Sequence, residues 1–79
     1  MPKYYFHVRR VLAATTNETI SAECEDDDAA RTMAGSIIAA AADELAQLVG
    51  MLEIEVTVRT LDGHELARRW ARFVADNYR

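Results

Sequence analysis

Glu25-Asp26-Asp27-Asp28-Ala29-Ala30-Arg31 decides how this chain is laid out, because four acids run directly into a long alanine-rich segment with helical periodicity. Carboxylates in a first turn interact favourably with the positive end of the helix dipole, and an aspartate side chain can accept an orphan backbone N–H as an N-cap. The spacing predicts a helix over Asp27–Val49, with Gly50 as its stop. At 100° per residue, Ala30, Ala34, Ile37, Ile38, Ala41, Leu45, Leu48 and Val49 share one wide stripe, and Thr32, Ser36, Asp43 and Gln47 fall opposite. On the flank of the stripe lies a row of small residues, Gly35, Ala39, Ala42 and Ala46, that lets another backbone approach closely.

Upstream of the acids the period is two. Lys3 to Leu12 places Tyr4, Phe6 and Val8 on one face and Tyr5, His7 and Arg9 on the other, which is a strand. Ala13 to Asn17 reads as a polar break with Asn17 as the turn residue, and Thr19 to Cys24 alternates again, so a hairpin is expected. Without an Asn-Gly or Asp-Gly pair, its turn is expected to exceed two residues. Downstream, Leu52 to Thr60 is the clearest strand, with Leu52, Ile54, Val56 and Val58 inward, and Asp62-Gly63 turns the chain after it. Beyond that turn a strand is expected from Glu65 through about Trp70, with a short helix after it, since Leu66, Trp70, Phe73, Val74 and Tyr78 also have helical spacing. The expected fold is therefore α+β: ββαββ, an antiparallel sheet of about four strands with one long helix packed on one face, in a single domain spanning residues 1–79.

Composition narrows the functional classes. With 79 residues there is room for one modest core, and fourteen of the apolar residues are alanines that each bury little. Self-association is one way such a chain gains stability, so a homo-oligomer, most simply a dimer, is expected. The net charge of −4 argues against nucleic acid, which needs a basic footprint. From Glu18 to Glu55 ten acids face the single Arg31, while the remaining cations lie toward the two ends of the chain. If the terminal strands neighbour each other, their arginines meet Glu53 and Glu55. Neither a signal-peptide apolar region nor a membrane span is visible, and a reducing cytoplasm is the expected location.

No catalytic or metal constellation emerges. His7, His64 and Cys24 are scattered over two strands and a turn, short of a compact zinc set. The acid run lacks the glycine and the distal glutamate of a calcium loop. Only Gly35, Gly50 and Gly63 are glycines, so no phosphate-cradling loop is present, and no nucleophile has an adjacent base. His7 on the outer sheet face near Glu53 or Glu55 is the nearest approach to a general base, and Cys24 is expected as core. Tyr4-Tyr5-Phe6 has the look of an aromatic RNA-binding strand, but Glu53 and Glu55 would share its face.

Met1-Pro2-Lys3-Tyr4-Tyr5-Phe6-His7-Val8 resembles the opening of a family of short alphaproteobacterial proteins, common in rhizobia, that form a domain of unknown function. Asp26-Asp27-Asp28-Ala29-Ala30-Arg31, Ile54-Glu55-Val56 and the Asp-Gly turn are similar to further family features in the same order. Arg10 to Glu18 departs from the family's Asp- and Gly-rich hairpin turn. The resemblance implies the same strand–helix–strand layout and leaves the function open. A more distant likeness is to small antitoxins on a partial RNase-H-like fold, which would imply an acidic chain masking a basic protein partner. Their Pro-Asp and Gly-Cys segment before the helix is missing here. The sequence thus points to a non-catalytic interaction module without cofactor, catalytic residue or metal. It is expected to self-associate through the helix flank (Gly35, Ala39, Ala42, Ala46) or through the outer sheet face with Tyr5, His7 and Trp70.

Overall fold

A computed structural model describes residues 1–45 and 50–75. Strands β1 (Lys3–Leu12) and β2 (Ala14–Glu23) form a hairpin, helix α1 (Asp27–Leu45) follows, and β3 (Gly50–Thr60) and β4 (Glu65–Ala75) form a second hairpin. The four strands make one antiparallel sheet in the order β2-β1-β3-β4. The fold is α+β with the order ββαββ, and β3 is a central strand with β1 on one side and β4 on the other.

The period-two pattern of β1 and β3 produces the core. Tyr4, Phe6 and Val8 from β1 and Leu52, Ile54, Val56 and Val58 from β3 are buried together against Ala30, Ala34 and Ala41 of the helix. Fully burying each of Phe6, Val8, Ile54, Val56 and Val58 contributes about 1.5–3 kcal/mol. Alanine at the helix contact positions brings α1 close to the sheet, while Met33, Ile37 and Ile38 fill the rim. The helix lies mainly over β3 and β4, so β2 is exposed along most of its length, with only Ile20 and Ala22 half-buried.

The helix starts as the acid run dictates. Asp26 is the N-cap: its Oδ1 accepts the Ala29 N–H at 2.8 Å, and its carbonyl accepts the Ala30 N–H at 3.1 Å. Tyr4 Oη donates to Asp27 Oδ1 at 2.7 Å, tying β1 to the first turn, and Arg31 pairs with Asp28 at 2.9 Å. The expected helix end at Leu48 and Val49, together with Gln47 and Ala46, lies outside the described residues; Gly50 opens β3 with φ 143°.

Two expectations are corrected. The first hairpin has no long polar loop: Leu12 pairs with Ala14, Ala13 alone makes the turn at φ 64°, and Asn17 sits within β2 opposite Arg9. Thr15, Thr16 and Thr19 are β-branched residues that suit a strand, and they extend β2 by several residues over the expectation. The second correction concerns the chain's last third. Residues 71–75 continue β4 and do not turn into helix, since Phe73 pairs with Leu52 and Ala75 with Gly50. The apolar positions of β4 mimic a helical spacing because they occupy both faces: Phe73 pairs with the buried Leu52, while Trp70 and Val74 pair with Glu55 and Met51 on the other side. The register shift between Val58 and Arg59 leaves Leu66 as an extra residue. The remaining expected residue, Tyr78, lies outside the described residues.

Candidate functional site: the uncovered sheet face

The face of the sheet away from the helix is built by the odd residues of β1, β2 and β3 and the even residues of β4. Its cross-strand rows read Ser21–Tyr5–Arg59, then Thr19–His7–Thr57–Arg68, then Asn17–Arg9–Glu55–Trp70, then Thr15–Val11–Glu53–Arg72. No element covers it among the described residues. Trp70 is 70% exposed, and Met51 and Val74, paired across β3 and β4, are also exposed. Between these apolar groups Arg72 donates twice to Glu53 Oε1, from Nε at 3.0 Å and from Nη2 at 2.8 Å. The pairing of strand arginines with β3 acids expected from the charge distribution is thus present at Arg72.

His7 does not engage Glu53 or Glu55. Its Nδ1 lies 3.4 Å from Thr19 Oγ1 and its Nε2 3.2 Å from Asn17 Oδ1, so both nitrogens face β2. Tyr5 is half-buried one row away, with Lys3 Nζ 6.0 Å from its ring centroid. Of the three consecutive aromatics only Tyr5 is on this face, because Tyr4 and Phe6 belong to the core. Arg9, Val11, Glu53, Glu55 and Trp70 outline a shallow depression of about 100 Å³ floored by Ile54. Among the described residues no group of three His, Cys, Asp or Glu side chains could hold a metal ion. Cys24 is buried with its Sγ 4.0 Å from Met33 Sδ.

The candidate interface residues fall on two separate surfaces. Tyr5, His7 and Trp70 share the uncovered face, although Trp70 stands next to Arg9 and Glu55 and not beside the other two. Gly35 and Ala39 are exposed on the helix and Ala42 is half-buried there, so they belong to the opposite side of the molecule; Ala46 lies outside the described residues. Sequence reading missed Met51, Val11 and Val74 as part of the exposed array. Their signal was present: in a strand, odd residues of β3 must share a face with Glu53 and Glu55. For Val74 it was hidden by the helical spacing of β4.

Elsewhere, the turn joining β3 and β4 is closed by Gly63 N–H donating to the Thr60 carbonyl at 3.0 Å and by Thr60 N–H donating to the His64 carbonyl at 2.9 Å. The Thr60 hydroxyl hydrogen-bonds Asp62 and holds its carboxyl below the usual carboxylate range. Arg68 is held above its ordinary value by the Glu65 carboxylate at 2.9 Å. No helix among the described residues is long and apolar enough to cross a membrane.

Residues 3–73 match the model of a family described as a domain of unknown function, DUF6894. No curated protein and no solved structure matches the chain.

Proposed function

We propose, from the premise that the chain belongs to the DUF6894 family, that it is a non-catalytic interaction module that self-associates. The segment matched to the family includes the helix, three whole strands and most of β4, so the uncovered face is part of the family unit itself. The observation that carries the proposal is the amount of surface left over. The chain exposes 5389 Å². A compact monomer of 8.9 kDa would expose about 4,800 Å². The excess of several hundred square ångströms is comparable with the roughly 800 Å² that one partner buries in a standard protein interface.

The chemistry of the exposed array supports a protein partner over a substrate. Its charges are already matched in place, as at Arg72 and Glu53, and its depression is too small and too open to enclose a metabolite. Nucleic acid fits poorly, because Glu53 and Glu55 interrupt the arginines. A basic protein partner gains little support, since the acid run is engaged at home: Asp26 caps the helix, Asp27 holds Tyr4 and Asp28 holds Arg31. Multi-angle light scattering over a concentration series is the test. Twice the chain mass at high micromolar concentration is expected, and a strict monomer there would overturn the proposal.

A further inference from the structure

We infer that two copies of the chain join through the free edge of β2, forming one continuous eight-stranded sheet about a twofold axis at Thr19. This rests on the self-association proposed above and names its surface. The direction of the backbone groups follows from the register. Cys24 N–H donates to the Pro2 carbonyl at 3.0 Å, and Lys3 pairs with Glu23. In an antiparallel ladder the bonded pairs alternate. Even residues of β2 therefore aim their N–H and C=O at β1, while Thr15, Asn17, Thr19, Ser21 and Glu23 aim theirs outward. No strand pairs with that side among the described residues.

Natural edges are blunted by bulges, proline, lysine or clustered like charge. The β4 edge has such protection: a register shift and three arginines, Arg68, Arg69 and Arg72, within five residues. The β2 edge has one comparable device, Glu18, which stands on the helix side of the sheet opposite Val8. The strand is otherwise open: ten residues long, without proline, bulge or lysine, rich in threonine and left uncovered by the helix. Self-pairing selects one register. With Thr19 opposite its own counterpart, Asn17 falls opposite Ser21 and Thr15 opposite Glu23, so every outward-facing residue is used. Glu18 then faces Ile20, and no like charges meet. Sliding the register so that Glu18 sits on the axis sets two carboxylates against each other and leaves Glu23 without one of the five partners. Closed twofold pairing also caps the edge, which prevents further addition.

The test uses the whole chain. Thr19→Pro and Ser21→Pro each remove an N–H that points away from β1, so the internal ladder keeps its bonds. Light scattering should show a halved mass for both variants, with a wild-type-like circular dichroism spectrum. Hydrogen exchange on the wild type gives a second readout that requires no variant. The amides of residues 15, 17, 19, 21 and 23 should be protected in the dimer and become fast on dilution. A dimer in which those five amides exchange freely would overturn the edge assignment while leaving self-association standing. A wild-type monomer would overturn both.

Discussion

Tyr4 couples strand to helix through a single hydrogen bond, and that bond has a pH signature. Its hydroxyl donates to Asp27 beside further acids, and the phenol is pushed up to about 12 from its ordinary 10.0. A phenol harder to ionise in the folded chain than in the unfolded one contributes stability that is complete below pH 10. That contribution is lost as pH rises through about 12. Urea midpoints should therefore fall over that window in the wild type, and Tyr4→Phe should lower the midpoint at neutral pH while flattening its alkaline decline. Asp26→Ala removes the helix cap and should cost about 1 kcal/mol by the same measurement. Phe6→Ala, at a fully buried position, should cost about 3–5 kcal/mol. Such a loss is a large share of the roughly 4–12 kcal/mol that holds a chain of this size folded.

At the scale of elements, the helix start and β3 were legible because one signal dominated each: the acid run capping an alanine-rich segment, and strict alternation through Leu52, Ile54, Val56 and Val58. The two hairpins were harder to read. β2 carries few large apolar residues, so the hydrophobic pattern that reveals most strands is weak there, and its length came from threonine backbone preference and pairing with β1. The tail of β4 misled because its apolar residues occupy both faces, Phe73 inward and Trp70 and Val74 outward, and so fall at helical intervals. The uncovered face was half legible: Tyr5, His7 and Trp70 could be placed on it by parity, whereas the bonds from His7 to Thr19 and Asn17 depend on the register of the first hairpin, which the misplaced turn hid. The single-residue turn invites a test. Ala13 sits at φ 64°, where a side chain costs roughly 1–2 kcal/mol, so Ala13→Gly should raise stability by up to about 1 kcal/mol after the flexibility of glycine is counted. Thermal unfolding of the two chains side by side would measure it.

For the molecule as a whole, exposed surface and shape agree. The radius of gyration is 13.8 Å. A compact chain of this length would give about 11.6 Å. One sheet with a single helix cannot wrap into a sphere, and its β2 edge is left open for a second copy to extend. Each chain carries a net charge of −4, so copies repel at long range. That repulsion is screened beyond about 10 Å at 0.1 M salt, so the dimer fraction should hold or rise with salt. A fall would mean that the contact is made by opposite charges and not by backbone pairing.

The extents of 49 × 21 × 15 Å make the chain a short rod. A rod diffuses more slowly than a sphere of the same mass, because friction follows the longest dimension more than the volume. On a sizing column calibrated with round standards even a lone copy will elute early and pass for something heavier, and two copies joined side by side at β2 would form a plate of the same length and greater width, shifting elution less than doubling suggests. Elution volume is therefore a poor witness to how many copies are present, and a sedimentation experiment that separates mass from friction would recover both.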